Sequence, residues 1–127
     1  MKDPYKVMAD IEKNRLYIDL FFTEIEQTEK IEDEIFAKAK QLGAGWGCIA
    51  NYTAANFLLT TDLLDKAETI MLILKQLGMG QLVRVLTEEQ SSLGDELKNL
   101  SIKIAGYEGI VARTKQDADT ILDCILE

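Results

Sequence analysis

A chain of 127 residues is sized for one domain, since a single hydrophobic core typically serves about 100–150 residues. Apolar residues make up 47%, as in an ordinary globular protein, and the longest apolar run, Ile70–Leu74, is far below the ~20 residues a membrane helix needs. With 22 Asp and Glu against 14 Lys and Arg, the net charge is −8 and no basic cluster exists, which argues against nucleic acid as a partner.

The chain opens with two runs, YKVMADI and RLYIDLFF, separated by EKN. In the second, Leu16, Ile18, Leu20 and Phe22 alternate with Arg15, Tyr17, Asp19 and Phe21, which predicts a strand with one buried face and hence an opening β-hairpin. From Thr28 the period changes, and Ile31, Ile35, Ala39 and Leu42 form one helical stripe that ends at Gly43. WGCIANY reads as a buried strand. Leu63, Ala67, Ile70, Leu74 and Leu77 make a second helical stripe stopping at Gly78, and QLVRVL follows as a strand. The cycle repeats through Leu93, Leu97, Leu100 and Ile104, then Gly106, then the strand GIVAR. A last helix carries Ala118, Ile121, Leu122 and Ile125. The predicted fold is a single α/β domain over residues 1–127, in the order ββαβαβαβα.

KQLGAGWG from Lys40 and KQLGMGQL from Lys75 are nearly the same words. A phosphate-binding glycine loop must follow a strand and open a helix, so that free amides face the anion. Both copies instead follow a helix and precede a strand, where the helix presents carbonyls and would repel an anion. They are expected to be two equivalent corners, with Gly43 and Gly78 in the left-handed turn.

Strands joined by helices should run parallel, with the first strand an antiparallel edge. Crossovers of one hand that always advance in the same direction stack as a βα superhelix with the helices on one side. The other sheet face is then uncovered, with Tyr17, Phe21, Trp46 and Tyr52 as its candidate aromatics and Tyr17 and Phe21 as a ligand or dimer face. In IMLIL, Leu72 and Ile73 extend beyond the stripe that packs on the sheet, so either a neighbouring helix or another molecule covers them, and with Asp62 they are the candidate partner-binding residues. A homodimer is expected from these surfaces. At the hairpin edge Lys6, Lys13 and Arg15 should discourage strand pairing.

This order, together with KNRLYIDLFF, GWGCIANYTAANF, LGMGQLVRVL and AGYEGIVARTKQDADTIL, resembles the STAS domain of bacterial anti-sigma-factor antagonists, and more closely small stand-alone STAS-like proteins. The resemblance implies a non-enzymatic regulatory module and a protein partner such as an anti-sigma-factor-like kinase. In that superfamily a serine in Asp-Ser-Ser-Gly at the start of the second helix is phosphorylated. Counted forward from Asn51, the motif falls on Leu59–Asp62, with Thr61 in the acceptor place beside Thr60, Leu59 in place of Asp and Asp62 in place of Gly. Counted back from Gly78, it falls on Leu63–Lys66, with no hydroxyl. The residues themselves read Thr60, Thr61 and Asp62 as caps of the helix that follows. STAS-like folds also resemble lipid-binding carriers, so an apolar-ligand carrier is the alternative.

Glu24, Glu26, Glu29, Glu32, Asp33 and Glu34 face only Lys30, and form either a solvated face or a docking patch for a basic partner. With no His, no Cys pair at ligand spacing and no EF-hand pattern, neither a metal nor another cofactor is expected. No nucleophile and base converge on strand ends, so the chain reads as no enzyme. A receiver-type phosphoacceptor fails because Asn51 stands where an aspartate would be needed. Cys48 and Cys124 are expected to be buried, inert thiols. MKDPYKVMAD has no apolar segment before a cleavage site, so the expected location is cytoplasmic.

Overall fold

The opening runs pair as an antiparallel hairpin, β1 (Tyr5–Asp10) with β2 (Arg15–Leu20), closed by a turn in which Asn14 takes a φ of 57°. The computed structural model describes residues 3–55, 60–107 and 109–125. After β2 come α1 (Ile31–Ala39), β3 (Gly47–Asn51), α2 (Thr61–Gln76), β4 (Gln81–Val85), α3 (Ser91–Ala105), β5 (Ile110–Ala112) and α4 (Lys115–Ile125). The sheet runs β1-β2-β3-β4-β5 with every pair after the hairpin parallel, as the α/β reading requires. No helix among the described residues is long and apolar enough to cross a membrane.

Register puts Leu16, Cys48 and Leu82 in one row, with Ile18, Ala50 and Arg84 in the next. These rows face α1, α2 and α3, and most of them join Ile31, Ile35, Leu63 and Leu74 in the larger core. The alternate rows, Tyr17–Ile49–Val83–Ile110 and Asp19–Asn51–Val85–Ala112, face the other way. There Ile49, Val83, Val85 and Ala112 pack with Ala118 and Leu122 of α4.

The expectation of an open sheet face is therefore corrected. The one-handed rule governs a helix between two parallel strands, and α4 follows the last strand, so it is free to fold back across the second face. Arg15 is buried beneath α4 and does not guard the hairpin edge. Trp46 and Tyr52 pack on the three-helix side, and the Trp46 Nε1 donates to the Leu77 carbonyl at 3.1 Å. Cys48 is buried and burial pushes its thiol up to about 12, whereas Cys124 is exposed.

The glycine corners are confirmed as corners and corrected in detail. α1 stops at Ala39, and the left-handed residue of the first corner is Gly45, not Gly43; the second corner uses Gly78 as expected. The two loops meet. Gly45 N–H donates to the Gly78 carbonyl and Gly80 N–H to the Trp46 carbonyl, both at 2.8 Å. A Cβ on Gly80 would stand 2.6 Å from the Gly45 carbonyl oxygen, so this crossing admits only hydrogen. On α3 the buried stripe is Gly94, Leu97, Ser101 and Ala105, displaced from the larger apolar residues because the small ones allow close approach; a Cβ on Gly94 would meet Leu86 at 2.8 Å.

Overpacking of this kind costs about 1–3 kcal/mol. Gly80→Ala should lower stability by about that amount, while Gly43→Ala, with only ordinary contacts at 3.8 Å, should stay within about 0.5 kcal/mol. Denaturant unfolding of the two variants checks the contrast.

Candidate functional site

Helix α2 begins as its sequence dictates. Thr60 is the N-cap, with extended φ and ψ of −115° and 167°, and its hydroxyl accepts the Leu63 amide at 3.2 Å. Thr61 and Asp62 follow in the first turn, both exposed, with Asp62 at the positive end of the helix dipole. The cap thus belongs to Thr60 alone, which corrects the shared capping read from the sequence. Leu59, in the motif's first place, lies outside the described residues.

Beside this helix start lies a groove of about 390 Å³ bounded by Ile25 and Glu26 of the 3₁₀ turn Ile25–Thr28, by Glu29 just after it, and by Asp62, Asp65, Lys66 and Thr69 of α2. The turn is set by local bonds: the Thr28 hydroxyl donates to the Ile25 carbonyl at 2.7 Å, and Gln27 Oε1 accepts the Thr23 and Glu24 amides. Lys66 reaches across to form an ion pair with Glu32 of α1. A second groove of about 350 Å³ adjoins the first, sharing Glu26 and Glu29 and adding Asp3, Tyr5, Lys30 and Glu34. The field there is negative. Burial first, and then the charges of Glu34, Glu32, Asp33 and Asp3, raise the Tyr5 hydroxyl above its ordinary pKa.

Carboxylates in such a surface accept hydrogen bonds and attract cations. Among the described residues no three acids, cysteines or histidines stand close enough to hold a metal ion. The first groove thus offers carboxylate acceptors from two elements, with Ile25 as an apolar contact between them.

The other residues singled out by the sequence lie elsewhere. Leu72 and Ile73 are half-buried on α2, which sits between α1 and α3. Ile73 packs against the larger core. Tyr17 lies beneath α4, and its hydroxyl donates to Asp119 Oδ1 at 2.6 Å; burial first, and then that bond and the Asp119 charge, push it up to about 12. Phe21 is half-buried past the end of β2, its amide donating to the Pro4 carbonyl at 2.8 Å. The structure thus separates Tyr17 and Phe21 from the α2 residues, and of Thr60, Thr61 and Asp62 it is Asp62 that lines the groove.

Two arginines are buried. Arg84, 1% exposed, lies among the three-helix core, with Nη2 at 3.4 Å from the Leu97 carbonyl and a hydrogen bond to Tyr52. Gly109 leaves it room, since a Cβ there would stand 2.9 Å from Nη1. Its placement was legible in QLVRVL, where Arg84 shares phase with Leu82 and Leu86. Arg84 also borders an apolar cavity of about 70 Å³ among Ile18, Ala50, Ile70, Leu82 and Leu97. The second is Arg15, whose phase opposite Leu16 suggested an exposed position until α4 was placed over it.

Compared with protein-family models and with curated proteins, the chain matches none.

Loss of an N-cap hydroxyl costs about 0.5–2 kcal/mol. Thr60→Ala should show that loss in thermal or denaturant unfolding, while Thr61→Ala should stay within about 0.5 kcal/mol.

Proposed function

We propose that the protein is a non-enzymatic interaction module that docks a basic regulatory partner on the paired acidic grooves at the start of α2. The observation that carries this reading is the continuity of two grooves through Glu26 and Glu29, with Asp62 and Asp65 on one side and Asp3 and Glu34 on the other. The resemblance to STAS-like proteins adds the class of partner, a regulatory kinase acting at the helix start, and makes Thr61 its acceptor. A phosphoryl group on exposed Thr61 would add charge beside Asp62 and Asp65, and so alter docking electrostatically.

The carrier alternative finds support in the apolar cavity of about 70 Å³, but small-molecule sites occupy about 300–1,000 Å³. The interaction reading is preferred on that difference in size. Self-association through α2 remains part of the proposal. If Leu72 contributes to a homodimer, Leu72→Glu should convert it to a monomer in sedimentation; an unchanged dimer would move the interface off α2, and a monomeric wild type at high micromolar concentration would remove it.

Electrostatic docking weakens with salt and reverses with charge. A partner captured from host extract by the wild type should be released by moderate salt and lost from Glu26→Lys/Glu29→Lys, with the circular dichroism spectrum unchanged. Undiminished capture by that folded variant would sink the proposal.

A further inference from the structure

Helix α4 is held differently from the other three. Its apolar grip is narrow: Ala118 and Leu122 are buried, Ile121 is half-buried and Ile125 is exposed. Its second hold is charged and runs along β2. Arg15 Nη1 donates to Asp119 Oδ1 at 2.7 Å and to the Asp119 carbonyl at 3.2 Å, while Nη2 donates to Asp123 Oδ1 at 2.5 Å. Tyr17 also donates to Asp119, and Lys115 pairs with Asp19 at 3.2 Å, its ammonium 5.5 Å from the Tyr17 ring centroid. Asn51 steadies Asp19 through a bond of 3.2 Å.

A charged contact between two elements gives up much of its attraction to desolvation, and opening returns these groups to water. α1 and α2 share the larger continuous core, and Leu97 of α3 lines the cavity within it, whereas α4 packs on the sheet's other face. Elements with few buried apolar contacts are the ones that open first.

We propose that α4 is a latch that undocks as a unit before the rest of the fold when its charged clasp on Arg15 is broken, uncovering the strip Ile49–Val83–Val85.

The groups facing the clasp are Arg15, Tyr17 and Asp19 of β2, Lys115, Asp119 and Asp123 of α4, and Lys13 of the hairpin turn, whose charge reaches Asp119. β3, β4 and β5 add the neutral Asn51 and the apolar Val83, Val85, Ile110 and Ala112. Burial alone would raise the Asp119 carboxyl, but the bonds from Tyr17 and Arg15 and the charges of Lys13 and Arg15 hold it below its ordinary range. A depressed carboxyl stabilises the docked state above its unfolded pKa, and that contribution fades as pH falls through the folded value. Acid therefore loosens the latch, and neutral pH keeps it closed.

Native-state hydrogen exchange tests this, with protection factors corrected for intrinsic rates and measured in α4, β4 and α2. In Asp119→Asn/Asp123→Asn, and in the wild type on acidification well below the ordinary Asp pKa of about 3.9, protection in α4 should fall at least tenfold while β4 and α2 hold theirs. Asp123→Asn alone, at an exposed position, should give a smaller loss confined to α4 and serves if the double variant is globally destabilised. Equal protection in α4 and β4, falling together in Asp123→Asn and in acid, would overturn the proposal.

Discussion

A sheet of mostly parallel strands must cover both of its faces, because its alternate side chains are apolar in both directions. Here one set of rows carries Leu16, Ile18, Cys48 and Leu82, and the other carries Ile49, Val83 and Val85. The strands advance in a single order, so their connecting helices are committed to one face. Only α4 is left to close the second. Each fully buried Val or Ile contributes about 1.5–3 kcal/mol, so leaving that strip bare would forfeit a substantial part of a small domain's stability.

Closing the face takes its polar groups out of reach of a partner. β2 supplies α4 with Arg15, Tyr17 and Asp19, and α4 answers with Lys115, Asp119 and Asp123 at the helical spacing of four residues. Groups that looked available for a ligand or a second copy are occupied inside the chain. Acids gather on the rim formed by the 3₁₀ turn, α1 and the start of α2. There the helix dipole favours acids, and two grooves run together.

Element order, strand direction and the three-helix core were legible because period two and period 3.6 alternate cleanly between glycine corners. What the sequence left hidden is tertiary. α4 was read as a helix, but nothing in its own stripe says which face of the sheet receives it. The clue lay in two separated patterns, Arg15-x-Tyr17-x-Asp19 and Lys115-x₃-Asp119-x₃-Asp123, which become complementary only when one is laid over the other. Gly45 and Gly80 were likewise visible as glycines, yet the close approach that requires hydrogen at Gly80 involves two loops 35 residues apart in sequence. At the candidate site, Thr60 and Thr61 are equivalent as residue types, and only backbone geometry decides which one caps. The acidic run Glu24–Glu34 was legible as a cluster, but its partners Asp62 and Asp65 come from another helix.

The account stands on α4 lying across the second face of the sheet, since that placement leaves the helical rim as the proposed binding surface. Nuclear Overhauser contacts among assigned methyl groups measure it directly. The structure requires contacts between the methyls of Leu122 and those of Ile49, Val83 and Val85 at neutral pH. Leu122 contacts to the three-helix core, or none to these residues, would contradict the account and return the exposed sheet face, with Tyr17 on it, as the place to look for a ligand.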